Sequence, residues 1–161
     1  MNPTTGGFTS GTLAAQAVQL QFAAFTPTDA LNLGALALAI AQDRALPVTM
    51  EIWYGDRLIF KAALPGTTED NDDWLRRKRN VVEKFDNSTL AVRVMHEEND
   101  QEFNEATGLP LSEYAAHGGG WPIHVVGTGT VGFMGVSGLP QVEDHLFIEE
   151  CLSAYHRTRL S

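Results

Sequence analysis

Cysteine is nearly absent from this 161-residue chain. Cys151 stands alone, so no internal disulfide can staple the fold and stability has to come from packing. Positive charge is scarce as well. Lys and Arg number 11 against 20 Asp and Glu, a net charge of -9, which repels phosphate backbones and anionic lipid surfaces and argues against nucleic-acid or membrane partners. No basic residue precedes Arg44, so the charged start of a secretory signal is missing. No apolar run approaches the roughly 20 residues that span a bilayer. These absences, with a lone cysteine suited to a reducing compartment, give the expectation of a cytoplasmic protein. Neither Cys-x-x-Cys nor His-Glu-x-x-His occurs, so no closed structural zinc site is expected, although a looser site using His117 and His145 stays open.

What is present reads as one globular domain. Apolar residues make up 43% and charged residues 19% of the chain, a balance typical of folded rather than disordered sequences. Residues 1–11, rich in Thr, Gly and Ser, are expected to form a flexible tail ahead of a single domain over 12–161. The apolar stretch 20–25 is a candidate edge strand. Thr26-Pro27-Thr28-Asp29 opens a helix over 26–45, with Thr26 capping and Pro27 in the first turn. Apolar residues surround that helix, so cover on more than one side is expected. Val48, Met50, Ile52 and Tyr54 alternate with polar or outward residues, and Gly55-Asp56 turns the chain into 57–61, a hairpin. Its expected inner face is Val48, Met50, Ile52, Leu58 and Phe60, leaving Trp53 and Ile59 opposite. A helix over 70–85 has acids first and basic residues later. Ser88 can cap a helix through His96, though Leu90, Val92 and Val94 also alternate as in a strand. Strands over 122–126 and 130–136 and a helix over 140–155 complete the order α-β-β-α-α-β-β-α, an antiparallel sheet flanked by helices in an α+β fold.

Several residues carry possible chemistry. Arg76 and Arg77 read as members of i,i+4 ion pairs with Asp72 and Asp73 on a solvated helix. Lys78 is different, because it shares the apolar face of Trp74, Val81 and Phe85. A buried cation needs either a carboxylate or an anionic ligand. His117-Gly118-Gly119-Gly120 sets an imidazole, expected at a helix end, beside backbone that leaves room for a ligand. The competing reading is a helix-terminal histidine followed by a plain turn. Haem or metal ligation and proton transfer all suit His117. Gly127-Thr128-Gly129-Thr130-Val131-Gly132 matches a dinucleotide fingerprint in letters only, since a strand and not a helix follows, and hairpin glycines are the expectation. Ser137-Gly138-Leu139-Pro140 joins a strand to a helix, where free amides can hold an anion. Asp144-His145 looks like part of a catalytic triad, yet adjacent helical residues point about 100° apart. Cys151 shares helical spacing with Ile148, Leu152 and Tyr155 and reads as core.

Taken together, Leu64-Pro65-Gly66-Thr67-Thr68 with Asp70-Asn71 and Trp74, Arg77-Lys78-Arg79-Asn80-Val81-Val82, Tyr114-Ala115-Ala116-His117-Gly118-Gly119, and Val136-Ser137-Gly138-Leu139-Pro140-Gln141 with Asp144-His145 resemble uncharacterised protein family 0303 (UPF0303). That family is related to the GlcG-like, HbpS-like haem-degrading domains. The resemblance runs from about residue 20 to the last helix. It implies a profilin-like antiparallel sheet flanked by helices, assembly into homo-oligomers, and haem as a possible cofactor, and it favours helix for the segment after Ser88.

The leading functional expectation is an oligomeric binding domain for a small anionic or planar ligand. Its candidate site residues are Lys78, His117, Gly118, Gly119, Ser137, Gly138, Asp144 and His145. Two other classes stand beside it: an enzyme using His117 or His145 with Asp144 as acid/base groups, and a scaffold oligomer with no ligand. Self-association is expected because a small sheet has few helices to cover the first helix, Trp53 and Ile59.

Overall fold

The computed structural model describes residues 5–159. Its elements run α1 (Ser10–Gln19), α2 (Pro27–Asp43), β1 (Thr49–Tyr54), β2 (Arg57–Ala63), α3 (Glu69–Phe85), α4 (Thr89–Glu97), α5 (Phe103–Thr107), β3 (Gly120–Val125), β4 (Gly129–Ser137) and α6 (Gln141–Arg159). The four strands form one antiparallel sheet in the order β2-β1-β4-β3. The α+β class and the order of the expected elements hold, with α1 and α5 added.

Local chemistry explains the starts. The Asp29 amide donates to Thr26 Oγ1 at 3.3 Å while Asp29 Oδ2 accepts from the Thr26 amide at 2.8 Å, the reciprocal capping box read from the sequence. Ser88 Oγ accepts from the Ala91 amide at 3.1 Å and starts α4, so Leu90, Val92 and Val94 lie on a helix. Residues 126–128 turn the β3–β4 hairpin, and Gly129 opens β4. No helix follows them to receive a pyrophosphate. Phe22 makes a single parallel bridge to Val125 at the β3 edge instead of the expected strand.

Of the segment expected as a tail, residues 1–4 lie outside the described residues. Thr9 caps α1 through its side chain, and the Phe8 ring meets His145 edge-on at 5.4 Å between centroids.

The sheet is sandwiched. On one face, Met50, Ile52, Met134 and Val136 pack with Ala37 of α2 and Ile148, Cys151 and Leu152 of α6 in a single buried cluster. The Tyr155 hydroxyl donates to Asp29 Oδ1 at 2.6 Å and ties α6 to the α2 cap. On the other face α3 crosses β1, β3 and β4. It approaches closely because Gly120 and Gly135 are directly paired across β3 and β4. A Cβ at Gly135 would stand 2.8 Å from Leu75, and one at Gly120 would stand 2.7 Å from Thr89 and 3.2 Å from Val82.

The hairpin corrects one face assignment. Ile52 pairs with Phe60 but Trp53 pairs with Leu58, so Ile59 is an extra residue in β2. A bulge exchanges the faces beyond it. Leu58, expected inside, is 40% exposed, and Ile59, expected outside, packs against the core. Trp53 also needs no partner subunit, because the Arg79 guanidinium of α3 lies 3.7 Å from its ring centroid.

A candidate ligand cleft between α3, His117 and the β4–α6 corner

A cavity of about 340 Å³ opens where the first half of α3 faces the end of β4 and the start of α6. Asp70, Asn71, Trp74 and Lys78 come from α3. Ser137, Gly138, Gln141 and Asp144 come from the corner, and His117 closes the remaining side. The volume falls at the small end of the range for small-molecule sites.

Asn71 joins two walls. Its Oδ1 accepts from the Thr68 amide at 3.0 Å to cap α3, and its Nδ2 donates to Ser137 Oγ at 3.2 Å. Lys78, 2% exposed, donates to Val136 O at 2.9 Å and to Asp144 Oδ2 at 3.3 Å. The expected carboxylate partner is therefore Asp144, itself 2% exposed, whose Oδ1 also accepts from the Leu139 amide at 3.0 Å. Burial pushes the Lys78 amine down and the Asp144 carboxyl up to about 6, while their mutual attraction opposes both shifts.

His117 lies on the irregular segment leading into β3 and not at a helix end, since α5 finishes ten residues earlier, at Thr107. Its ring rests 5.0 Å from that of Trp74, whose other contact is the Arg77 guanidinium at 3.9 Å. Neither ring nitrogen of His117 has a hydrogen-bond partner among the described residues. Burial, and then the cations of Arg93, Lys78 and Arg77, push its pKa down to about 4, so the imidazole is neutral at pH 7.

The cavity thus collects Lys78, His117, Ser137, Gly138 and Asp144 of the sequence candidates. Gly118 and Gly119 stand behind this wall. The Gly118 amide donates to Gln141 Oε1 at 2.6 Å, and a Cβ on Gly119 would lie 2.6 Å from Lys78 Nζ. His145 is elsewhere, fully buried, with Nε2 at 2.8 Å from Gln16 Oε1 of α1 and its ring near Phe8 and Trp121. Burial pushes its pKa down to about 4. His145 therefore does not join His117 and Asp144, which line the same cavity. Among the described residues no three His, Cys, Asp or Glu side chains are grouped to hold a metal.

Sequence reasoning left Trp74, Asn71 and Gln141 out of the candidate site. Trp74 shared the helical face of Lys78 and was the available signal. Asn71 and Gln141 act through capping and through the Gly118 amide, which a linear pattern does not reveal. The arginines also differ from expectation. Arg77 pairs with Asp73 at 3.0 Å as expected, but Asp72 pairs with Lys61 at 2.7 Å, and Arg76 takes Asp73 at 2.9 Å and Glu113 at 2.6 Å.

An apolar-packed sheet under α2 and α6, with a small polar cleft under α3, is an α+β domain of the GlcG-like fold. The profile of the HbpS-like family, described as haem degrading protein HbpS-like, matches residues 25–153, and the chain belongs to that family. A UPF0303 protein of Streptomyces avermitilis is 44% identical over 143 residues, 89% of this chain and 88% of the relative. One of Azotobacter vinelandii is 42% identical over 148 residues, 92% of this chain and 89% of the relative. Among solved structures, the Ybr137w protein superposes with a TM-score of 0.85 at 25% identity over 96% of this chain and 91% of that one. HbpS, at a TM-score of 0.60 and 17% identity, covers 83% of this chain and 91% of that one. A PduOC:heme complex does so at a TM-score of 0.65 and 17% identity, covering 81% and 94%. At such identities these last two carry the fold alone. No helix among the described residues is long and apolar enough to cross a membrane.

Proposed function

We propose that this protein is a cytoplasmic binding domain that holds a small planar, anionic ligand in the α3 cleft, with haem as the first candidate. The observation that carries this reading is His117, a neutral, half-buried imidazole beside Trp74 with both ring nitrogens unpartnered among the described residues. An unpartnered ring facing a cavity is an available ligand group. A planar ligand fits against Trp74, and anionic substituents suit the neighbouring Lys78 and Arg77.

The residues present fit a haem in part. His117 supplies a neutral nitrogen of the kind that ligates iron, and Trp74 supplies a flat apolar wall. The enclosed volume, with Asp70 and Asp144 in its walls, admits an edge of a macrocycle more readily than the whole ring. When bound, haem would supply iron chemistry; the chain's own contribution is to orient the ring and present His117. The family description and the haem-bound fold neighbour support this candidate. Titration of purified protein with haem tests it. A saturable Soret shift, altered in His117→Ala and weakened in Trp74→Ala, is expected, and no saturable shift would remove haem from the proposal.

Self-association is the second element of the reading. It rests on α2, which carries no charged side chain between Asp29 and Asp43 and leaves Leu31 50% exposed, and on Leu58 at the β2 edge. Trp53 no longer contributes, because Arg79 covers it. Sedimentation at micromolar concentrations is expected to give a homo-oligomer that Leu31→Glu weakens. A 17.5 kDa species at all concentrations would remove this element.

A further inference from the structure

Lys78 sits in the cleft wall in a way that an ion pair alone does not require. Its amine ends a side chain 3% exposed, yet it borders the cavity. Two acceptors hold it, Val136 O at 2.9 Å and Asp144 Oδ2 at 3.3 Å. An ammonium has three N–H donors, so one position on nitrogen has no protein acceptor among the described residues. The backbone makes room for this group. Gly119, at φ 116, has no side chain, and a Cβ there would stand 2.6 Å from Nζ.

We propose that Lys78 captures a small planar aldehyde in the cleft as an imine, with Trp74 supporting the ring of the ligand and Asp144 handling the proton. This rests on the cleft being a ligand site and names a reactive class of ligand for it. Nζ gives one proton to Asp144, and its lone pair forms a bond to the carbonyl carbon. The carbonyl oxygen takes that proton back from Asp144 to give the carbinolamine, protonated on nitrogen. Loss of that oxygen as water, with a second proton from nitrogen, leaves the carbon–nitrogen double bond as a protonated imine and Asp144 again as carboxylate. One amine and one aldehyde give one imine and one water, with no change of oxidation state. Desolvation, the usual means by which proteins activate a lysine, acts on Lys78 in the needed direction.

The chain offers its own controls, because its only other lysines are Lys61 and Lys84. Lys61 is held by Asp72 at 2.7 Å and by Glu51 at 3.4 Å, and its amine is pushed up in pKa; Lys84 is exposed. The full chain is incubated at pH 7 with 4-carboxybenzaldehyde and cyanoborohydride, which reduces any imine to a stable secondary amine, and adducts are mapped by peptide mass spectrometry. The expected result is modification of Lys78 at least tenfold faster than of Lys84, suppressed by excess terephthalate and absent at that position in Lys78→Arg. Modification of Lys78 no faster than of Lys84 in the wild-type protein overturns the proposal. Terephthalate binding, measured by calorimetry on the same protein, separates the two readings. Saturable binding without Lys78 labelling leaves the ligand cleft standing and removes the imine; no binding and no labelling removes both for this class of ligand.

Discussion

On the face of the sheet covered by α2 and α6, Met50, Ile52, Met134 and Val136 interlock with Ile148, Cys151 and Leu152 as an apolar layer. On the face covered by α3, the same strands meet Lys78, Arg79 and Arg77, which are paired with Asp144, stacked on Trp53 and stacked on Trp74. One sheet therefore has a face built for stability and a face built around polar groups. The first fills its space with side chains that have no alternative partner. The second leaves a cavity where the first half of α3 faces the β4–α6 corner, while the Gly120–Gly135 pair lets the rest of the helix approach the sheet closely. The buried Lys78–Asp144 pair and the unpartnered His117 ring both border the cleft.

The largest expected effect tests the charged face. Asp144→Ala leaves Lys78 buried without its carboxylate and should cost about 3–5 kcal/mol in denaturant unfolding. The double variant Lys78→Met, Asp144→Leu should recover most of that loss. Failure of the double variant to recover would mean that Asp144 acts mainly through the Leu139 amide. Next comes Leu152→Ala on the apolar face, where a cavity in close-packed surroundings should cost about 2–5 kcal/mol and leave ligand binding at the cleft unchanged.

Much of this division was legible in the sequence. The capping box at Thr26, the cap at Ser88, the alternation of β1 and the helical spacing of Ile148, Cys151, Leu152 and Tyr155 are local patterns, and each describes what is found. That Lys78 needs a carboxylate or an anionic ligand was legible too, because burial of a cation follows from its helical face, and Asp144 is the carboxylate found. Other features were not. The bulge after Ile52 depends on cross-strand register and exchanged Leu58 with Ile59. The α1 helix hides in a segment of Thr, Gly and Ala whose anchors are Leu13 and the Gln16 contact to His145, 129 residues away. His145 was grouped with Asp144 by adjacency, whereas the helix turns it behind α6 toward α1.

A smaller effect separates those two neighbours by pH. The folded pKa of His145 is lowered from 6.5 to about 4, so its contribution to stability is complete above pH 6.5 and is lost as pH falls through about 4. Asp144, raised from 3.8 to about 6, works oppositely: its contribution is complete below pH 3.8 and is lost as pH rises through about 6. His145→Gln should therefore flatten the fall in stability on acidification between pH 6.5 and 4, read from melting temperatures across that range. An unchanged profile would contradict the buried neutral histidine. The smallest effect belongs to the exposed rim. Arg76→Ala removes solvent-screened pairs with Asp73 and Glu113 and should change stability by less than about 1 kcal/mol.

The central claim, that His117 is the neutral and available group of the cleft, is most directly tested by NMR of the histidine side chains across pH and with added ligand. The His117 ring should stay uncharged down to about pH 4, and its resonances should move on addition of haem or terephthalate while those of His145 stay fixed. A His117 ring that titrates near 6.5, or ligand shifts confined to histidines outside the cleft, would contradict the account.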